Sequence, residues 1–283
     1  MKWVLKKSNK KIIKFNKEFN LPPLIANLLN NHAFTTFDEL DRFLNPSIKY
    51  FHNPFLMKGL EKSIKRIFKA MSLNETIFIL GDSDADGISA ASIILNQLKA
   101  QGGKVEALIL NREEDGRGLS RRLIKKVLKV NSAVLITCDL GINDHDLIDF
   151  ATKNGVDVII VDHHIPFKKK SSAFSIINPK QVNCVYPFKE LSASGIALKL
   201  VQGMEKFKSK NLLENNDAVS LAMLGTISDM VPLTGENRLI VSIGLKNLKE
   251  TKSIGLEIFL KKKKQSQSYY FFLSSPIIPM VNS

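Results

Sequence analysis

The sequence predicts an α/β protein with a doubly wound, mainly parallel sheet that follows a small N-terminal layer of helices. Short apolar runs alternate with amphipathic stretches from residue 76 to residue 161, which gives the order strand, helix, strand, helix. These runs are continuously apolar, as expected of strands that helices cover on both faces. We predict a helical segment over 1–71, a central α/β domain over 72–250, and a linker with the start of a second domain over 251–283.

Three short helices are predicted before residue 72, because apolar residues recur three and four positions apart. They lie in LPPLIANLLNN, FTTFDELDRFL and LEKSIKRIFKAM. Thr36 stands three residues before Glu39, which is the spacing of a capping box that opens the second helix. We expect this segment to form a helical layer without chemistry of its own.

Four strands are predicted in the central domain, in TIFIL, KVEALIL, AVLITCD and VDVIIVD. The intervening helices begin at Ser89, in LSRRLIKKVLKV and at Asp144. After Asn178 the pattern is helical again, in SGIALKLVQGMEKF, AVSLAMLGTISDM and NRLIVSIGLKNLKE. Strands that alternate with helices favour a parallel sheet, since each parallel connection needs a crossover.

The composition excludes several classes of protein. The chain has 283 residues, of which 44% are hydrophobic, and a formal net charge of +14, so it is not a disordered chain. No apolar run approaches the roughly 18 residues of a membrane-spanning helix, and the N-terminus shows no secretory signal, so we expect a cytoplasmic protein. Lysine supplies 34 of the 41 basic residues, which favours attraction to a nucleic-acid backbone over bidentate base reading.

The two cysteines, Cys138 and Cys184, do not form a CxxC pair. This argues against a disulfide scaffold and against a structural zinc site. We expect both to be reduced thiols without a special role.

Acidic and imidazole side chains follow three of the four predicted strands. Because the carboxyl ends of parallel strands meet at one edge of a sheet, we expect these side chains to converge. A single aspartate after a strand is often only a helix cap, but several at one edge favour a binding site. The residues are Asp82, Asp84 and Asp86 after the first strand, Asp139 after the third, and Asp162, His163 and His164 after the fourth.

This pattern predicts a metal site. Carboxylates placed around one point raise one another's pKa unless a cation neutralises them. Oxygen ligands favour hard ions such as Mg²⁺ or Mn²⁺, and the addition of imidazole favours Mn²⁺. Two ions would be held if Asp139 bridges them.

Gly87 and Gly141 follow the acidic residues directly, where a strand must turn sharply and a Cβ would hinder close approach. Both glycines are compatible with a role in a turn alone as well as with a role in a binding site. Asp229 stands at the end of an apolar helix, before Val231-Pro232, and taken alone it is compatible with a surface position.

The central part of the chain contains six motifs in a fixed order. They are GDSDADGIS, CDLGIND, VDHHIP, INPK with CVYPF, SASGIALKL, and LGTISDMVPLTGENR. In this order they resemble the DHH phosphoesterase superfamily and, within it, the RecJ family of single-strand-specific 5′→3′ DNA exonucleases. The segment FLNPSIKYFHNPFLMKGLEKSIKRI also resembles the part of that family before its core, so the resemblance covers nearly the whole chain. It implies a DHH catalytic domain that hydrolyses single-stranded DNA to 5′ mononucleotides in repair and recombination, with a helicase and a single-strand-binding protein as candidate partners.

The resemblance also implies the residues of a two-metal site that takes Mn²⁺ or Mg²⁺. Asp82 is a less certain ligand than the others, and Asp162 matches a carboxylate that orients a metal-binding imidazole. Asn111-Arg112 resembles a pair whose arginine holds the 5′-terminal phosphate. The positions that match metal ligands are Asp82, Asp84, Asp86, Asp139, His163, His164 and Asp229.

The chain departs from the family pattern at three positions and at its end. Ser83 replaces a common aromatic residue, Arg117 a frequent tyrosine and Ala193 a glycine, with effects on substrate fit that stay open. The family continues into a DHHA1 module and an OB-fold. We therefore expect the aromatic tail that ends in PIIPMVNS to be an interrupted junction with a second domain.

Two alternatives to an exonuclease stay open at this point. One is a DHH phosphoesterase for short oligoribonucleotides or cyclic dinucleotides, which the GENR block and the N-terminal helices disfavour. The other is a truncated, inactive fragment or binding module that keeps the DHH core.

Overall fold

The computed structural model of the protein divides into two compact units, residues 1–46 and 47–283. The domain boundaries expected from the sequence stay predictions, although the helix at residues 60–72 lies within the second unit. The expected junction after residue 261 and Arg117 lie outside the described residues. The structure describes residues 19–29, 34, 36–116, 118–130, 133–167, 169, 171–208, 216–251 and 253–261.

The first unit contains helices α1 (Pro23–Leu29) and α2 (Phe37–Leu44). The capping box predicted at Thr36 is confirmed, because Glu39 N–H donates to Thr36 Oγ1 at 3.2 Å and Thr36 N–H donates to Glu39 Oε2 at 3.3 Å. The unit has its own small apolar core. Leu29 and Leu40 are buried there among Phe19, Leu21, Phe34, Phe37, Phe43 and Leu44.

The second unit is built around a five-stranded sheet in which all strands are parallel, in the order β2-β1-β3-β4-β5. The predicted α/β class with a parallel sheet is confirmed. The strands are β1 (Ile77–Gly81), β2 (Val105–Ile109), β3 (Val134–Cys138), β4 (Asp157–Val161) and β5 (Ser175–Ile177).

The other elements in the described part of this unit are helical. Two short 3₁₀ turns, Ile48–Tyr50 and Pro54–Leu56, precede the sheet, and a third, Leu248–Glu250, follows the last long helix. The α-helices are α3 (Leu60–Ser72), α4 (Ala85–Ala100), α5 (Arg112–Asp115), α6 (Arg121–Lys129), α7 (His145–Lys153), α8 (Ala193–Phe207), α9 (Asn216–Ser228), α10 (Gly235–Asn247) and α11 (Ile254–Lys261).

Helices cover the sheet on both faces, which is the doubly wound arrangement that the sequence predicts. Alternate residues of each strand point to opposite faces, so both sets must be apolar. In β1, Ile77 and Ile79 pack in the core with α3, α4, α8, α9 and α10, whereas Phe78 and Leu80 pack in a second core with α6 and α7. The sheet is thereby buried between two helical layers.

Three details differ from the sequence-based expectation. The helix expected from Ser89 begins at Ala85, because Asp84 caps it by accepting the Gly87 N–H at 3.0 Å. Strand β2 is partly exposed, since it lies at the sheet edge. Strand β5 was not predicted, because three residues are too few for a recognisable pattern. No helix in the described ranges is long and apolar enough to span a bilayer.

Candidate metal centre

The carboxyl ends of three neighbouring strands bring the predicted site residues together. Strands β1, β3 and β4 lie side by side, and Asp82, Asp139 and the Asp162-His163-His164 triplet follow them directly. Asp84 and Asp86 come from the start of α4, and Asp229 follows the end of α9. The edge of the sheet thus collects side chains that are far apart in the sequence.

The seven predicted metal ligands form three overlapping groups, each with ligand atoms within 4.8 Å of one another. Asp139 belongs to two of these groups and His163 to two, so the groups form one continuous cluster. The geometry can hold more than one cation, while the role of each residue as a ligand stays a prediction. The groups are Asp82, Asp84 and Asp139; Asp139, His163 and His164; and Asp86, His163 and Asp229.

The centre of the cluster contains polar atoms that fit a cation. Asp139 Oδ1 and both ring nitrogens of His163 are buried and have no hydrogen-bond partner among the described residues. His163 Nε2 lies 3.4 Å from Asp139 Oδ1 and 3.6 Å from Asp229 Oδ2. Unsatisfied polar atoms are costly when buried, and a metal ion bound by Asp139 Oδ1 and by one ring nitrogen of His163 would satisfy those two atoms. The donor set suits Mn²⁺ or Mg²⁺.

Burial and then carboxylate crowding raise two pKa values in this cluster. Burial, followed by the charges of Asp86 and Asp84, raises the pKa of Asp139 well above its usual range. Burial and Asp86 raise the pKa of Asp229 to about 7. Protons therefore bind where a cation is absent, and we expect a cation to displace them.

This arrangement predicts that metal ions stabilise the protein more as the pH rises. The folded protein binds protons on Asp139 and Asp229 more tightly than the unfolded chain does, so without metal the free energy of unfolding falls from about pH 4 towards neutrality. Mn²⁺ replaces these protons, and the gain in Tm on adding Mn²⁺ should be larger at pH 7.5 than at pH 5. Thermal unfolding with Mn²⁺ or with EDTA measures this. Equal gains at the two pH values would contradict it.

Asp86 is held by the N-terminus of α8. Its carboxylate is buried and accepts the backbone N–H groups of Ala193 at 2.7 Å and Ser194 at 2.9 Å. Because the backbone makes this contact, the alanine at position 193 leaves it intact. Gly225 in α9 allows the close approach, since a Cβ there would lie 2.2 Å from Asp86 Oδ1. Gly225 is not among the site residues predicted from the sequence, although a glycine within an apolar helix is a signal of close packing.

Asp162 orients the His164 ring. Its Oδ1 lies 2.7 Å from the ring nitrogen Nδ1 of His164 and accepts the backbone N–H of the same residue at 3.0 Å. Its Oδ2 accepts the backbone N–H of Ile142 at 3.1 Å. Burial raises the pKa of Asp162, but the hydrogen bonds from His164 outweigh that effect and hold the pKa below its usual value. Because Nδ1 is engaged, Nε2 of His164 is left for another partner.

Asn111 and Arg112 have different roles, and only Arg112 lines the cavity beside the carboxylates. Asn111 caps α5, its side-chain oxygen accepting the Glu113 N–H at 3.0 Å. Arg112 Nη2 lies 3.2 Å from Asp84 Oδ2 and 3.5 Å from Asp82 Oδ1, and its side chain is 46% exposed. Ser83 lies between these two aspartates, and its backbone N–H donates to Asp82. The cavity has a volume of about 480 Å³, and Arg112 and the carboxylates line it together.

The fold is also found in a family of known proteins. Residues 76–226 match the DHH family, N-terminal domain. The chain belongs to the DHH family. The resemblance to this family and to RecJ that the sequence motifs indicate is confirmed.

Among proteins of known name, the chain is similar to the single-stranded-DNA-specific exonuclease RecJ of Bacillus subtilis (strain 168), at 35% identity over 262 residues, 92% of this chain and 33% of that protein. It is 31% identical to the RecJ exonuclease of Dickeya dadantii (strain 3937) over 243 residues, 82% of this chain and 42% of that protein. The chain therefore spans about a third to two fifths of the length of these curated relatives.

Solved structures of DHH-family members agree. The crystal structure of exonuclease RecJ bound to manganese matches with a TM-score of 0.73 and 28% identity, over 80% of this chain and 57% of that one. The Mn²⁺ complex of RecJ from Thermus thermophilus shares the fold, with a TM-score of 0.79 and 24% identity over 95% of this chain and 38% of that one. The predicted cofactors, Mn²⁺ or Mg²⁺, agree with such structures and with the clustered ligands described here.

Proposed function

We propose that this chain is a metal-dependent phosphodiesterase that removes 5′ mononucleotides from single-stranded DNA. The names of its relatives suggest the part of this proposal that concerns a single-strand-specific exonuclease. The observation that carries the proposal is the cluster of seven candidate ligands, five of which line one cavity together with Arg112. The DHH family membership and the RecJ relatives support it. We further propose that the chain acts in the cytoplasm, in DNA repair and recombination, with a helicase and a single-strand-binding protein as partners.

The residues of the cluster suggest which side chains would hold each metal ion. Two divalent ions held in such a site would polarise a phosphate and lower the pKa of a water molecule. Asp82, Asp84 and Asp139 form one group that would hold an ion, and His163 would hold another, either with Asp139 and His164 or with Asp86 and Asp229. A nucleophilic side chain is not required. Burial raises the pKa of the nearby Cys138 thiol well above its usual range, so this thiol is not a competing nucleophile.

Arg112 would select the end of the strand. Its guanidinium lines the cavity beside Asp82 and Asp84, and its side chain is 46% exposed. A phosphate can therefore reach it from solvent. A guanidinium offers paired donors to a terminal phosphate, and such a contact would set the position of the first phosphodiester relative to the metal ligands. The net charge of +14 would attract the rest of the strand.

The direct test is cleavage of a 5′-phosphorylated single strand labelled at its 3′ end, in Mn²⁺. We expect stepwise shortening from the 5′ end with release of mononucleotides, no activity in EDTA, and slow cleavage of the same strand in a blunt duplex. Turnover of dinucleotides but not of the long strand would instead favour a small-substrate phosphoesterase. A rise in Tm with Mn²⁺ but no cleavage of either substrate would identify a binding module.

A further inference from the structure

Arg112 can select a strand end only if its guanidinium is held in a defined position. This residue opens α5, a single turn of helix that lies between strand β2 and helix α6 in the chain. A four-residue helix is not stable by itself, because it contains too few internal hydrogen bonds. The position of the Arg112 guanidinium therefore depends on what holds α5 in place.

The buried carboxylate of Asp115, the last residue of α5, closes the turn. Its Oδ2 accepts the Asn111 N–H at 3.3 Å, and its own N–H donates to the Asn111 carbonyl at 2.7 Å. The side chain has no exposed surface. The start and the end of the turn that bears Arg112 are thus joined through one residue.

The same carboxylate connects α5 to α6. Ser120 Oγ donates to Asp115 Oδ1 at 2.7 Å, and Arg122 donates from Nε to Oδ1 at 2.9 Å and from Nη2 to Oδ2 at 2.5 Å. Arg122 also lies 3.0 Å from Glu114. Two parallel hydrogen bonds from a guanidinium hold a carboxylate in distance and in direction.

Helix α6 is a rigid anchor for this contact. Leu123, Ile124 and Val127 are buried in the core between α6, α7 and the sheet. Ser120, which donates to Asp115, also accepts the Leu123 N–H at 3.2 Å and so caps α6. Burial raises the pKa of Asp115, but the bonds from Arg122 and Ser120 outweigh this and keep the carboxyl ionised to lower pH.

We propose that Arg122 is a positioning residue that, through Asp115, holds Arg112 where it can bind the 5′-terminal phosphate. The inference rests on the proposed function of Arg112 and adds a residue that touches neither the cavity nor the metal ligands. Loss of Arg122 would leave the ligand cluster intact but let α5 move. Recognition of the 5′ phosphate would weaken while the chemistry at the metal ligands continued.

The test compares binding and cleavage of single strands that carry a 5′ phosphate or a 5′ hydroxyl. In Arg122→Gln we expect KM for the phosphorylated strand to rise on the order of 10-fold, while kcat for that strand stays nearly unchanged. Both KM and kcat for the 5′-hydroxyl strand should also stay nearly unchanged. Arg122→Lys keeps the charge but not the paired bonds and should be intermediate. Arg121→Gln is the matched control, since Arg121 stacks over Phe150 at 4.6 Å and has no described contact with Asp115.

A double-mutant cycle separates positioning from general stability. Arg112→Ala should abolish the preference for the phosphorylated strand, and adding Arg122→Gln should then cause no further loss of that preference. Independent losses in the double variant would overturn the proposal, as would an equal loss with both strands in Arg122→Gln.

Binding provides a readout that does not need turnover. The anisotropy of labelled oligonucleotides in Ca²⁺ should show a preference for the 5′ phosphate in the unmodified protein and a reduced preference in Arg122→Gln. If this preference is present and falls but no strand is cleaved in Mn²⁺, the proposed function fails and the positioning role stands. If the unmodified protein shows no preference, the positioning role is overturned.

Discussion

Asp139→Asn should reduce single-strand cleavage on the order of 10³-fold or more, equivalent to about 4 kcal/mol of transition-state stabilisation. Asp139 is the carboxylate shared by two of the three ligand groups, so its loss affects both candidate ion positions. The gain in Tm on adding Mn²⁺ should largely disappear with the activity. Gel assays of cleavage and thermal unfolding with and without Mn²⁺ measure the two effects.

Asparagine is the informative replacement at this position. Asp139 has a φ of +64°, in the left-handed region that asparagine tolerates better than alanine, and the two side chains are nearly isosteric. Replacing the carboxylate also removes a charge that the neighbouring Asp86 and Asp84 disfavour. The metal-free variant should therefore be at least as stable as the unmodified protein at pH 7.5.

The outcome separates a functional role from a structural one. Asp146→Asn is the control, because Asp146 is exposed and pairs with Lys169 on the surface at 2.9 Å. It should change neither cleavage nor the effect of Mn²⁺. Retention of full activity in Asp139→Asn, or a large loss of stability without metal, would refute the assignment of Asp139 as a ligand.

The second large effect is expected outside the cavity, at the buried Lys199–Glu236 pair. Lys199 Nζ donates to Glu236 Oε1 at 3.0 Å and to the His52 carbonyl at 2.8 Å, and both side chains are almost completely buried. Glu236 also accepts the Tyr186 hydroxyl and the His52 N–H. Burial lowers the pKa of Lys199, whereas Glu236 favours the charged ammonium. The pair joins α8, α10 and the segment before the sheet.

Lys199→Met should destabilise the second unit by about 3–5 kcal/mol, because it leaves the Glu236 carboxylate buried without its cation. Urea unfolding of the variant and of the unmodified protein measures this deficit. A deficit below about 1 kcal/mol would contradict this explanation.

A surface pair of the same charges gives the control. Lys65 and Glu61 lie 2.6 Å apart on α3 with both side chains more than half exposed. Lys65→Met should change the free energy of unfolding by less than about 1 kcal/mol. The double variant Lys199→Met with Glu236→Gln should recover part of the lost stability, since it removes the unpaired charge.

The local patterns of the sequence predicted most of the fold. Helices α1, α2 and α3, four of the five strands and the parallel sheet follow from periodicity and turn residues, and the Thr36 capping box follows from spacing alone. The sequence predicts that α4 begins at Ser89, whereas it begins at Ala85. The difference arises because Asp84 is recognised from the sequence as a site residue and not as the cap of this helix. Strand β5 depends on pairing with β4, which no three-residue pattern can reveal.

The acidic and imidazole residues at strand ends, and the motif order that indicates the DHH family, can be read from the sequence alone. The neighbours of each residue are known only from the folded chain. Asp86 meets the N-terminus of α8, Arg122 reaches Arg112 through Asp115, and Asp139 Oδ1 has no hydrogen-bond partner among the described residues. This difference arises because strand-end residues follow from local periodicity, whereas burial, pKa and hydrogen bonding depend on contacts between distant parts of the chain.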